Sequence, residues 1–326
     1  MKRVVTGGEL TQRDMRPADI IHSYLMHVQD DIARFGLLED ARERDCPACG
    51  GQGAREFERF GFEYHRCRMC GSLFVSPLPA RIRLAEYHAE GAAERFRREH
   101  LLPSTADART RHALIPRARW VLAAAAGRLG LHPTFAQFGT ETPQLLDLIR
   151  ASATVVSRPD TSQPERDQVQ ADGVIAFDEL ERAADFAGGI HRCRRTLRAG
   201  GLLFVTTMSG EGFELCMLGQ RANALVPPVH LQLLSRRGWD EALAREDFRI
   251  VEYSTPGELD VQAVADVCRR DPAVRLPPII DQLVRTDDEQ VARGFQELLQ
   301  QACLSAHVHL MAEAITPTSG PSHEQR

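Results

Sequence analysis

The stretch "FAQFGTETPQLLDLI", residues 135–149, reads as an apolar strand, a tight turn and an amphipathic helix. In α/β proteins this succession often builds a nucleotide site, because glycines in the turn let the backbone come close to the ligand. Here Gly139 is the sole glycine. The stretch therefore has the form of a nucleotide-binding unit without its usual loop.

The same alternation continues on the C-terminal side. A helix runs to Arg150 and a short strand follows at 153–156. After these come "GVIAFD" (173–178), a helix to Leu197, "AGGLLFVTT" (199–207), a helix at 236–245 and "FRIVEYST". Strands alternating with helices predict an α/β fold with a mainly parallel sheet. "SAHVHLMAEA" alternates with period two and predicts one more strand. Residues 261–300 read as a helical insertion packed on the rest of the protein, and the Pro- and Ser-rich tail 315–326 as disordered.

With 326 residues, 43% hydrophobic and 26% charged, the composition is that of a globular protein long enough for two domains. No apolar run approaches the roughly 20 residues needed to cross a bilayer. A net charge of -5 argues against non-specific nucleic-acid binding as the main business. The start, "MKRVVTGGELTQRD", lacks the apolar core of a secretion signal, which predicts a cytoplasmic protein.

Residues 17–35 predict an amphipathic helix through Ile21, Leu25, Val28 and Ile32, stopped at Gly36. His22 and His27 on that helix read as solvated or capped rather than as ligands. Of the 8 cysteines, Cys193, Cys216, Cys268 and Cys303 stand singly and read as inert thiols. Cys46 and Cys49 pair across residues 50–66 with Cys67 and Cys70. Each C-x-x-C turn aims two thiolates at one point, Gly50 and Gly71 permit the turn, and two such knuckles complete a tetrahedral sulfur site for zinc. Protein would fill all four positions, so the metal's role is structural. The knuckles flank a predicted hairpin at 57–64, the pattern of a zinc ribbon.

"GSLFVSPLPARIRLAEYH" (71–88) follows, a strand, a proline turn and a helix; residues 95–130 then predict two linking helices with Trp120, Val121 and Leu122 toward a core. Arg109, Arg111, Arg117 and Arg119 on them read as a solvated face, with a site for phosphate or an acidic substrate as the alternative. The expected organisation is an N-terminal helix (1–40), the ribbon (41–80), a helical linker (81–130), the α/β domain (131–314) and the tail.

The ribbon followed by C-G-x-L-F-V-x-P-x-P resembles the front of bacterial class I S-adenosylmethionine-dependent methyltransferases associated with sugar, polysaccharide or natural-product biosynthesis. "DGVIAFDELER", "HRCRRTLRAGGLLFVTT", "PPVHLQLLSRRGWDEAL" and "FRIVEYSTPGELD" resemble successive later segments of that family. The resemblance is strongest over 172–260 and reaches loosely from the first helix to about Glu313. It implies a Rossmann-like sheet with an antiparallel last strand, S-adenosylmethionine contacts at Gly139, Asp160 and Asp178, and His230 near the acceptor, where a neutral imidazole suits a general base.

The chain departs from that pattern at several points. Gln137 stands where an acidic residue is expected, and Gly139, Glu141 and Pro143 where the family has three glycines. Pro159 takes the place of the acidic ribose ligand, with Asp160 beside it, and Val229 and Arg182 replace an acidic residue and a histidine. Residues 157–172 leave no room for the family's third strand, which carries the adenine wall. The expectation is a methyltransferase-like pseudoenzyme that binds a protein partner in a biosynthetic pathway. An active methyltransferase on a sugar or natural-product acceptor and a non-methylating enzyme using the same cleft stand as alternatives. Cys193, beside His191 in "HRCRRTLR", reads as a partly buried thiol with no chemistry.

Overall fold

The computed structural model describes residues 10–139, 143–150, 152–156 and 170–315. Helix α1 (Ala18–Arg34) carries Tyr24, Val28 and Ile32 on its buried face. Strands β1 (Gly53–Arg59) and β2 (Phe62–Cys67) form the expected hairpin, Phe57 opposite Tyr64, and β3 (Leu73–Val75) adds an antiparallel third strand. Helix α2 (Arg81–Glu90) follows.

Residues 92–114 do not form one of two regular helices. Short helical pieces alternate with two wide turns, Arg97–Leu101 and Thr110–Leu114, before helix α3 (Ile115–Arg128). Each wide turn comes just ahead of a proline, Pro103 or Pro116. A proline has no N–H to donate and crowds the carbonyl four residues back, and a locally widened helix relieves both.

The main sheet is built from β4 (Thr134–Gln137), then, after helix α4 (Pro143–Arg150), β5 (Thr154–Val156) and β6 (Ala171–Phe177). Helix α5 (Phe186–Thr196), capped by Asp185 through the Gly188 N–H at 2.9 Å, leads into β7 (Leu197–Met208). The stretch between Asp178 and α5 is a single turn of 3-10 helix, Leu180–Arg182, where the sequence predicts continuous helix. Helix α6 (Phe213–Leu218), strand β8 (Gln232–Leu233), helix α7 (Arg236–Ala244) and β9 (Phe248–Ser254) complete the core run. Three insertion helices, α8 (Asp260–Arg270), α9 (Pro278–Val284) and α10 (Glu289–Gln301), precede β10 (His307–Ala314).

The six-stranded order is β5-β4-β6-β7-β10-β9. β5, β4, β6 and β7 run parallel, and β10 lies antiparallel between β7 and β9. This is the Rossmann-like α/β sheet that the sequence predicts, with its antiparallel last strand; among the described residues no strand lies between β5 and β6 in the chain. Neighbours are added on opposite sides of β4, so the ends of β4 and β6 open a crevice where ligands of such sheets bind.

One face of this sheet packs on α3 and α4 through Val121, Phe135, Ile149 and Phe204. The other face buries Val174, Leu203 and Val205 with Trp239 of α7, and the four clustered cysteines belong to that same core. A third core joins α1, the ribbon's aromatic face (Phe62, Tyr64) and the insertion helices through Val264, Phe295 and Leu299.

Strand β8 is the joint between the halves of the chain. It pairs with β3, Leu73 against Leu233, making the small sheet four-stranded. Arg44 crosses this seam: its Nε donates to the Val75 carbonyl at 2.8 Å, and one terminal nitrogen donates to the Leu231 carbonyl at 2.9 Å and to Gln232 Oε1 at 3.1 Å. Arg44→Met leaves these acceptors without their donor. It should lower the unfolding free energy by about 1–3 kcal/mol in urea titration, and a loss below about 0.5 kcal/mol would remove this seam from the stability of the fold.

Candidate functional site

The cysteine knuckles form as their spacing predicts. Gly50 and Gly71 take left-handed backbone, φ +72° and +80°. Sulfur–sulfur distances are 3.6 Å for Cys46–Cys70 and 3.4 Å for Cys49–Cys67, and all four thiols lie within 4.8 Å of one another. Zinc with bonds of about 2.3 Å sits in a sulfur tetrahedron with edges of about 3.8 Å, so the donor set fits that metal. The N–H of Gly51 points at Cys49 Sγ and that of Met69 at Cys67 Sγ, both at 3.4 Å, which favours thiolates.

The knuckles are anchored from the second half of the chain. Ser235 caps α7 by accepting the Gly238 N–H at 2.8 Å, and its hydroxyl donates to the Cys70 carbonyl. Arg245 donates to the Cys49 carbonyl at 2.7 Å.

A second cluster lies at the carboxyl ends of β6 and β7. Asp178, just past β6 with φ +56°, accepts from Arg117 of α3 at 2.7 and 3.3 Å and from the Thr206 hydroxyl of β7 at 2.9 Å. Arg117 also donates to His307 Nε2 of β10 at 2.6 Å. Arg117 is 8% exposed while Asp178 keeps 43% of its side chain open, so the buried guanidinium meets its carboxylate at the protein's surface. Burial alone would raise the Asp178 pKa, but Arg117 and the hydrogen bonds outweigh it and hold the carboxyl well below its ordinary value.

Glu181, on the 3-10 turn, behaves oppositely. It is buried, and desolvation, then the charge of Asp178, raises its pKa well above the usual carboxylate range although the Thr207 hydroxyl bonds to it. The two carboxyls are thus driven apart, Asp178 toward the ionised form and Glu181 toward the protonated one.

His230 stands beside this pair. Its Nδ1 accepts the Val226 N–H at 3.0 Å, so the neutral ring carries its hydrogen on Nε2. Desolvation, then Arg16, pushes its pKa down to about 4. The ring is arranged as a hydrogen-bond donor at neutral pH, whereas a general base needs a free lone pair. His307 is also brought to about 4, by desolvation, then Arg117.

Gly139, at φ +88°, does open a turn after β4. A Cβ placed on it would run into Cγ and Cδ of Glu179, so the space over this glycine is occupied by the chain's own side chain. Asp160, together with Glu141 and Pro159, lies outside the described residues, as does the tail beyond Ile315. Arg182, at the family's histidine position, reaches His88 Nδ1 at 2.9 Å and Glu94 at 3.4 Å. Cys193 is buried in the core, and His191 pairs on the surface with Glu246 at 2.8 Å.

Of the sequence candidates, the structure brings Asp178 and His230 within electrostatic reach of each other and sets Gly139 against Glu179, with the cysteines at a separate centre. Sequence reasoning missed Glu181, Thr206 and His307 because each is an ordinary residue until the sheet assembles. Their available signal is position: all lie at carboxyl-edge strand ends or, for His307, at the start of the antiparallel neighbour.

No family model matches this chain, and no curated protein matches it. Solved structures similar to it include a methyltransferase from Bacillus halodurans C-125, at 12% identity and TM-score 0.34 over 61% of this chain and 99% of the other. Another is a chain of the complex between the Haloferax volcanii Trm112 methyltransferase activator and a methyltransferase, at 14% and 0.40 over 65% and 96%. A third is coclaurine N-methyltransferase bound to N-methylheliamine and SAH, at 12% and 0.38 over 62% and 72%. At such identities and scores these are weak likenesses.

Two measurements follow from this geometry. Elemental analysis should find about one zinc per wild-type chain and none in a Cys46→Ser/Cys67→Ser protein, with a lower thermal midpoint; full zinc retention would overturn the assignment. Glu181 has a folded-state pKa above its unfolded value of about 4.3, so its contribution to stability is complete below that pH and is lost as pH rises. Glu181→Gln should therefore gain thermal stability relative to wild type between about pH 5 and pH 8, and a pH-independent difference would show that Glu181 titrates normally.

Proposed function

We propose that this chain is a methyltransferase-like protein braced by structural zinc, which acts by binding within a biosynthetic pathway and does not transfer methyl groups. One observation carries the reading: the Glu179 side chain fills the space over Gly139, where the family's loop leaves room for S-adenosylmethionine. Buried Gln137 at the end of β4, in place of an acidic residue, supports it. The residues present do not fit that cofactor.

A second reading, a non-methylating enzyme using the same cleft, is favoured by the Asp178/Glu181 pair. Two carboxyls whose surroundings push one toward the ionised and the other toward the protonated form are a common arrangement for general acid–base work. Under this reading Glu181 donates a proton, Asp178 keeps Arg117 in place, and His230 offers its Nε2–H to an acceptor atom. An active methyltransferase on a sugar or natural-product acceptor would need Glu179 to leave Gly139.

Calorimetric titration of the zinc-loaded protein with S-adenosylmethionine and S-adenosylhomocysteine tests the first reading. The expected result is no heat of binding up to about 1 mM of either compound; a Kd of about 10 μM or tighter would restore the methyltransferase alternative.

A further inference from the structure

The second cysteine knuckle brings a hydroxyl to its sulfur where the first brings an amide. Cys49 Sγ receives the N–H of Gly51, two residues on, at 3.4 Å. At the matching place after Cys70 stands Ser72, fully buried, with its Oγ 3.2 Å from Cys70 Sγ. The same oxygen accepts the Ser235 N–H at 3.1 Å and lies 3.3 Å from the Ser235 hydroxyl. Ser235 comes from the other half of the chain, as the N-cap of α7.

Counting hydrogens fixes what Ser72 does. A serine hydroxyl has one hydrogen to give and two lone pairs that accept. Ser235 gives its hydrogen to the Cys70 carbonyl and accepts the Gly238 N–H at 2.8 Å. Ser72 therefore keeps its own hydrogen to place, and the acceptors beside it are Cys70 Sγ and Ser235 Oγ. A metal-bound cysteine is a thiolate with no hydrogen, so its sulfur takes the one from Ser72. A Cys70 thiol instead donates to Ser72, whose hydrogen then turns to Ser235 Oγ. The hydroxyl changes partner with the state of the sulfur, while the Ser235 N–H stays bound to it throughout.

Helix α7 keeps this hydroxyl in place by its closeness. A Cβ placed on Gly238, in the first turn of α7, would lie 2.1 Å from Ser72 Oγ, far inside contact distance. A larger residue there must rotate the Ser72 hydroxyl away from Cys70 or push the helix back. Four thiolates around one divalent cation leave the buried centre net negative, and a hydrogen bond to sulfur disperses that charge.

We propose that Ser72 is a positioning residue of the metal centre, its hydroxyl donating to the Cys70 thiolate and kept there by Ser235 and Gly238 of α7. The second half of the chain thereby completes a site whose four ligands all come from the first. This rests on the assignment of zinc to the four cysteines.

The test loads the full chain with Co(II), whose thiolate charge-transfer absorption reports the electron density on sulfur, and measures zinc affinity by competition with a chromophoric chelator. Ser72→Ala should move that absorption to longer wavelength, because a thiolate without its hydrogen bond gives up charge more readily. The same variant should hold zinc about tenfold more weakly. Gly238→Ala displaces the same hydroxyl and should move the absorption in the same direction. Ser305→Ala removes a buried hydroxyl that bonds Asp260 beside the insertion helices, and should match wild type in both readings. If Ser72→Ala fails to fold, Gly238→Ala carries the comparison. An unmoved absorption in the folded variant, whatever its stability, would overturn the role of Ser72 and leave the zinc site standing. Absence of thiolate absorption in Co(II)-treated wild type would remove the metal centre and this proposal with it.

Discussion

The carboxylate of Asp178 holds the working edge of this protein together. It accepts from Arg117 on α3 and from Thr206 on β7, and through Arg117 it sets the position of His307 on β10. Arg117 is too deeply placed to remain charged without a partner, so the helix, two parallel strands and the antiparallel strand share one electrostatic registration point. The same charge has a second effect: placed near Glu181, it adds to desolvation in keeping that carboxyl protonated. The character of the cleft follows from where this one side chain sits.

The cysteine centre is connected to that cleft by continuous packing and hydrogen bonds. Ser235 joins the Cys70 carbonyl to the first turn of α7, and β8, immediately before it, pairs with β3. Gln232 of β8 donates to the carbonyls of Leu180 and Ala183 at 2.7 and 2.9 Å, and the Leu231 N–H donates to the Glu181 carbonyl at 2.8 Å. The turn that carries Glu181 is thus held by a strand that the ribbon holds in turn. A metal held by the four cysteines would act at a distance in this way, by fixing the backbone that carries Glu181.

Much of the architecture was readable in advance wherever a local pattern suffices. The knuckle spacing, the amphipathic α1 and the period-two strand β10 appear as their sequences predict. The errors have physical causes. The wide turns before Pro103 and Pro116 change the helical phase, and with it which linker arginines face inward; nothing in the count of arginines reveals that. β8 is too short to carry a periodic signal, and it exists because β3 offers an unpaired edge. The polar identity of Gln232 has no evident purpose until the carbonyls of the 180–183 turn are beside it.

Taken alone, the sequence determined the main alternation of strands and helices, the α/β class, the four-cysteine centre and the poverty of glycines after β4, because each depends on residues near one another in the chain. The tertiary structure decided which charges meet. Asp178 is held toward the ionised form, Glu181 toward the protonated one and His230 as a donor through neighbours contributed by α3, β7, β10 and the turn after residues 12–15. Protonation states follow from desolvation and from charges a few ångströms away, and those distances do not exist until the chain has folded.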